Sequence, residues 1–294
     1  MLSKRIRLTL EMIKFEHSIF ALPFALTGAL LAVREGGGHW AAAAWKLVWI
    51  CLAMVGARSA AMAFNRLVDA EIDSRNPRTR MRHLPTGLLS RGFTWMFVVA
   101  SCVVFLAAAA ALNSLCLRLA PVALAIVFFY SFTKRFTSSS HLVLGFSLGI
   151  APAAAWIAIR GSLDPRILWL TAAVTFWTAG FDIIYSCQDY EFDGREGLFS
   201  LPRRLGLAGA LLVARGLHLL MVLCLLALVR DLHLGPLALA GVAAIVALLI
   251  YEHSLVKPHD FSRVNAAFFT MNGYVSVLFF LFWAADILLN RGSA

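Results

Sequence analysis

The chain has 294 residues, of which 61% are hydrophobic and only 14% charged. An ordinary globular domain carries about 45–50% apolar and about 25% charged residues, so most soluble enzymes, disordered chains, collagens and disulfide-stapled scaffolds are excluded. Twenty-six Lys and Arg against sixteen Asp and Glu leave a net charge of +10, which suits cytoplasmic loops facing anionic headgroups rather than a nucleic-acid partner.

Residues 1–16 place Lys4, Arg5, Arg7 and Lys14 among Ile6, Leu10 and Ile13, the pattern of a short helix lying in the membrane interface. No small-residue cleavage site follows it, so it does not read as a removable signal. Apolar runs then fall at 18–33, 41–64, 93–112, 115–133, 141–159, 167–187, 205–229, 234–251 and 264–289. Each is near the length a helix needs to cross about 30 Å of hydrocarbon, and none alternates as a barrel strand would. The fold expected is an all-α polytopic membrane protein: one domain over 1–294, with nine spans around a central cavity that opens to the cytoplasm.

With the N-terminus inside, seventeen basic residues fall on the cytoplasmic side and seven outside, while Arg58 and Arg215 lie within spans. That bias orients the chain N-in and C-out. It also puts the two longest polar loops, 65–92 and 186–204, on one membrane face. The five cysteines stand singly in or beside apolar runs and read as small core residues. Pro23, Pro121 and Pro152 interrupt spans and are expected to kink helices around the cavity.

Asn65, Asp69 and Asp73 close the second run at a spacing of four, and Tyr185, Asp189 and Asp193 repeat it after the sixth. Steps of four on a helix stack side chains into a column, so two acidic columns face the same membrane surface. Two unit charges 4 Å apart repel by about 4 kcal/mol at an effective dielectric near 20, and something positive must lie between them. All-oxygen donors without Cys or His favour Mg²⁺, an ion that typically also holds substrate phosphates. Arg75, Arg78, Arg82, His83, Lys134 and Arg135 on the adjoining loops supply the other half of a phosphate site. A magnesium-bridged diphosphate is the natural occupant.

Arg58 and Asp182 sit inside apolar runs, where an uncompensated charge costs about 2.5–3.5 kcal/mol or more. Each precedes a column member by seven residues and so lies about two turns deeper on the same face. Either they pair with each other or they line the cavity and grip an acceptor. Asn265 and Asn272, also seven apart, read chiefly as helix–helix hydrogen-bonding groups. Aromatic residues such as Phe64, Phe128, Tyr130, Trp156, Trp177 and Phe181 are abundant near the cavity's expected position and read mostly as lipid-facing or packing residues, with Tyr185 the best placed to face a carbocation. His17, His141, His218 and His253 have no partner at metal spacing and read as core or interface residues.

At these residues the chain resembles the UbiA superfamily of intramembrane prenyltransferases. The family's N-D-x-x-D-x-x-x-D followed by R-P-L-P-[ST]-G appears as NRLVDAEIDSRNPRT and RHLPTG, and its D-x-x-[YF]-x-x-x-D-x-x-x-D followed by G-x-x-S appears as DIIYSCQDYEFDGREGLFS. The resemblance implies that Asn65, Asp69, Asp73, Asp189 and Asp193 hold Mg²⁺ and diphosphate. It further implies that Arg78, Arg82 and Lys134 contact the diphosphate, that Tyr185 sits beside the allylic carbon, and that Arg58 and Asp182 lie near the acceptor. Arg66 stands where the family has the Asp that follows the Asn, removing a potential ligand, and His83 stands where it has Pro. KFEHSIFALPFA, AAMAFNR, QDYEFDGREGLFSLP and NAAFFTMNG look like the 4-hydroxybenzoate polyprenyltransferase-like branch, often associated with menaquinone made by the futalosine route. The implied reaction is transfer of a polyprenyl group from an allylic diphosphate to 4-hydroxybenzoate or 1,4-dihydroxy-6-naphthoate in a bacterial inner membrane. Two other readings compete: prenyl transfer to another acceptor such as haem, a tetrapyrrole or a glycerol lipid, and a transporter with a cation site. The transporter is disfavoured because both columns lie at one face rather than at the midplane.

Overall fold

The structure is a computed structural model that describes residues 2–15 and 20–290, and every extended element in it is helical. In chain order these are α1 (Leu2–Met12), α2 (Leu22–Glu35), α3 (Trp40–Arg75), α4 (Arg91–Leu112), α5 (Ser114–Thr133) and α6 (Ser140–Arg160), followed by α7 (Leu168–Ser186), α8 (Tyr190–Arg195), α9 (Leu201–Asp231), α10 (Pro236–Ser254) and α11 (Asn272–Leu289). The boundaries have local causes. Ser90 and Asn113 cap α4 and α5 by accepting from the Phe93 and Cys116 amides. Gly161 ends α6 in the left-handed region at φ 70°, where a side chain would be strained.

Among the described residues eight helices are long and apolar enough to cross a membrane, one fewer than the nine expected. The run at 18–33 lies partly outside the described residues, and from Leu22 it forms the 14-residue α2. Pro23 occupies the first turn of α2, where its missing amide costs nothing, so it starts a helix instead of kinking one. Pro121 and Pro152 lie inside α5 and α6 as anticipated. The bend in α9 comes instead at Gly206, whose φ of 72° is not helical.

Helix α3 runs 36 residues, about 54 Å, well beyond the hydrocarbon thickness. Its polar end therefore projects out of the apolar zone as a helix up to Arg75, and the expected loop begins only there. Helix α3 packs on α4, α7 packs on both α6 and α9, and α2 lies against α6. The main core is aromatic: Phe24 stacks on Phe279 at 4.5 Å and contacts Trp177 at 5.0 Å. Buried polar groups answer one another across helices. Trp177 Nε1 donates to Asn272 Oδ1 at 2.7 Å, Asn272 Nδ2 donates to Glu252 at 3.2 Å, and the His218 and His253 rings meet at 3.0 Å. Asn272 thus takes the helix–helix role expected of it, whereas Asn265 is exposed. Helix α1 docks through Met12 and Ile13 onto Ala63 and Leu67, and Arg66 Nε donates to the Met12 carbonyl at 3.3 Å.

The crossing of α2 on α6 depends on Gly28, because a Cβ there would stand 2.5 Å from the Pro152 carbonyl oxygen. Gly28→Ala is expected to lower stability by about 1–3 kcal/mol. Gly216→Ala, where nothing lies within 4 Å of the new methyl, is expected to leave stability unchanged or raise it by up to about 1 kcal/mol. Thermal unfolding of the two variants in detergent checks the contrast.

Candidate active site

The first column stands as the spacing predicts, on the projecting end of α3. Asn65 Nδ2 donates to Asp69 Oδ2 at 3.2 Å and reaches Ser131 Oγ on α5 at 3.5 Å. Asp69 is 3% exposed and Asp73 is 4% exposed, and each is held by bases from other segments. Lys134 Nζ donates to Asp69 Oδ2 at 2.6 Å and Arg135 donates to Oδ1 at 3.1 Å. Arg82 grips both oxygens of Asp73, at 2.7 and 2.8 Å. The loop after α3 therefore folds back onto the helix that launches it.

The second column departs from a simple ladder. Helix α7 ends at Ser186, a 3₁₀ turn covers Cys187–Asp189, and α8 begins at Tyr190. A 3₁₀ turn winds three residues per turn rather than 3.6, and this one falls between Tyr185 and Asp189. Asp189 accepts from Arg78 Nε at 2.9 Å, while Arg78 Nη1 donates to the Tyr185 hydroxyl at 3.0 Å. Burial disfavours the Arg78 charge, and its bonds to Asp189 more than offset this, holding its pKa above the ordinary guanidinium value. Asp193 lies among Ser200, Asp189, Lys134 and His141. Lys134 thus stands between the two acidic segments, bonded to one and facing the other.

Asn76 was not singled out by the acidic spacing, yet it joins the columns directly. Its Nδ2 donates to Asp189 Oδ1 at 3.0 Å, and its Oδ1 accepts from the Arg78 amide at 2.9 Å. The signal was Pro77: a residue before proline is driven to extended backbone, and Asn76 at φ −84°, ψ 120° ends α3 for that reason. The remaining loop bases turn elsewhere. Arg75 pairs with Glu196 at 3.1 Å, and His83 faces Glu11 at 3.6 Å.

Deeper in the bundle, Trp177, Phe181 and Tyr185 form an i, i+4 aromatic column on α7. Trp177 meets Phe181 at 5.0 Å, Phe268 meets Phe181 at 5.3 Å, and Tyr185 meets Phe268 at 4.1 Å. Phe268 comes from a π-helical segment, Ala266–Met271, that leads into α11. Asp182 meets His141 on α6, whose Nδ1 lies 2.6 Å from Asp182 Oδ2. Tyr130 on α5 stands within electrostatic reach of both Asp182 and Asp69. Beside the two loops a cavity of about 400 Å³ opens between Phe136, Ser138, Phe199, Ser200 and Arg204.

The donor set fits Mg²⁺ in its chemistry, since Asn65 and four Asp side chains offer only hard oxygens. Among the described residues no three Asp, Glu, His or Cys side chains converge closely enough to hold an ion as they stand. Lys134, Arg135, Arg82 and Arg78 hold Asp69, Asp73 and Asp189 instead.

Residues 21–285 match the UbiA prenyltransferase family. A 4-hydroxybenzoate octaprenyltransferase of Vibrio atlanticus (strain LGP32) is 31% identical over 244 residues, covering 81% of this chain and 84% of the relative. Another from Sodalis glossinidius (strain morsitans) is 31% identical over 225 residues, covering 76% and 77%. Among solved structures, a UbiA homolog from Aeropyrum pernix K1 is similar at a TM-score of 0.82 with 34% identity, over 94% of this chain and 98% of that one. A UbiA homolog from Archaeoglobus fulgidus, solved with DMAPP and Mg²⁺, shares the fold at a TM-score of 0.69 and 21% identity, over 96% and 99% of the two chains.

Removing one partner of a buried ion pair strands the other charge. Arg82→Met is accordingly expected to lower stability by about 3 kcal/mol, and Arg82→Met combined with Asp73→Asn to recover most of that loss. A double-mutant cycle from thermal unfolding measures both.

Proposed function

The chain belongs to the UbiA prenyltransferase family and is a membrane-embedded, prenyl-transferring enzyme, and from this premise we propose that it moves a polyprenyl group from an allylic diphosphate to a small phenolic acid. The acids that fit are 4-hydroxybenzoate and 1,4-dihydroxy-6-naphthoate, precursors of ubiquinone and menaquinone. The observation that carries this reading is the junction of two acidic segments, distant in the chain, through Asn76, Arg78 and Lys134 above a buried polar and aromatic lining.

Asn65, Asp69, Asp73, Asp189 and Asp193 would hold Mg²⁺, which supplies Lewis-acid neutralisation of the leaving diphosphate. Arg78, Arg82, Lys134 and Arg135 exchange their carboxylate partners for phosphate oxygens, so charge stays compensated throughout. Tyr185 presents its ring face to the allylic carbon as positive charge develops there. Phe181 and Phe268 pack beside it and exclude water, which would otherwise quench the cation. Arg58, two turns below Asn65, faces the acceptor's carboxylate. Asp182, two turns below Asp189, faces its phenolic hydroxyl. The electron-rich ring attacks the allylic carbon, and the displaced ring proton leaves to a carboxylate or to diphosphate. The polyprenyl tail runs between helices into the bilayer. The charge bias of the loops supports a cytoplasmic N-terminus in a bacterial inner membrane.

Membranes carrying the protein, supplied with Mg²⁺, a long allylic diphosphate and each acid in turn, are expected to yield a prenylated acid identified by mass. Product from neither acid overturns the reading. Asp69→Ala and Asp189→Ala are each expected to slow both prenylation and diphosphate release by about 100-fold or more. Arg58→Met is expected to raise KM for the acid by about tenfold, the loss of roughly 1.4 kcal/mol of binding, with little change for the diphosphate. Steady-state kinetics on the three variants test these values.

A further inference from the structure

We infer that His141 is a positioning residue for Asp182, holding that carboxylate so that its remaining lone pairs face the phenolic hydroxyl of the acceptor; this rests on the prenyl-transfer reading above. His141 opens α6 and is 3% exposed. Its Nδ1 lies 2.6 Å from Asp182 Oδ2 on α7, and its Nε2 accepts from the Leu201 amide at 3.5 Å where α9 begins. A backbone amide can only donate. With that amide donating to Nε2, the ring N–H falls at Nδ1, toward the carboxylate. One imidazole thus reads the starts of α6 and α9 and fixes the orientation of a side chain on α7.

The position of Asp182 decides what it serves. It lies two turns, about 10 Å, below Asp189 and so beneath the bases that face a diphosphate. The Asp182 side chain is 18% exposed while that of His141 is 4% exposed, so the carboxylate has open surface and its partner has none. A carboxylate accepts up to about four hydrogen bonds, and a single N–H from His141 leaves room for a hydroxyl donor. An arginine gripping both oxygens would not. A phenol donating to a fixed carboxylate gains electron density in its ring, which is what attack on an allylic cation requires.

The test compares His141→Leu, which fills the site without a donor, with His141→Asn, whose amide can donate in place of Nδ1. For His141→Leu, kcat/KM for the phenolic acid is expected to fall about 10- to 100-fold, the scale seen when an orienting partner is removed. KM for the allylic diphosphate and the Mg²⁺ dependence should stay within about twofold of wild type, and His141→Asn should recover most of the loss. Equal behaviour of the two variants, or an equal loss toward both substrates, overturns the inference and leaves His141 as a packing residue. An active wild type with an unaffected His141→Leu overturns the inference alone. A wild type that prenylates neither acid overturns the underlying reading and the inference with it.

Discussion

Charge compensation in a low-dielectric setting is the constraint on which the architecture turns. Asp69 and Asp73 are almost wholly buried, and a buried carboxylate without a partner is costly enough that a fold must supply one. The partners come from two segments: Lys134 and Arg135 just after α5, and Arg82 and Arg78 on the loop after α3, with Arg78 reaching the turn after α7. The pairs therefore act as ties. They draw α3, α5 and α7 together at one end of the bundle, and they set the spacing at which a phosphate could later take the bases and a divalent ion the acids.

The apolar half of the molecule works by a different rule. Between lipid-facing helices there is little hydrophobic gain in association, so close packing and interhelical hydrogen bonds must hold the bundle. Gly28 against Pro152 permits a close crossing. The chain of contacts from Trp177 through Asn272 to Glu252, and the His218–His253 pair, give partners to polar groups that lipid cannot, leaving Glu252 Oε2 and His253 Nδ1 buried without one among the described residues. The aromatic column on α7 connects this packed interior to Tyr185, so a rigid core supports the side chain nearest the expected chemistry.

Much of this is written in local patterns. Long apolar runs, the loop bias of Lys and Arg, and acidic residues spaced by four need no tertiary information, because lipid leaves the backbone few alternatives to a helix. Both acidic signatures and the family they mark were legible for the same reason: the chemistry requires those residue types in order along one helix end. Where the local reading failed, a local feature had been weighed wrongly. Pro23 was taken for a kink although its place in the first turn favours initiation, and the 3₁₀ turn at Cys187–Asp189 has no clear mark in QDYEFD.

The amino-acid order by itself determined the membrane class, the two acidic segments, the bases beside them and the family. Only the tertiary structure decided which base answers which acid, that Asn76 bridges the segments, and that His141 meets Asp182. The reason is geometric. Helical periodicity says which face a residue occupies on its own helix, but a hydrogen bond between His141 and Asp182, 41 residues apart, depends on how two helices are rotated and shifted against each other, and that is set by the packing of the whole bundle.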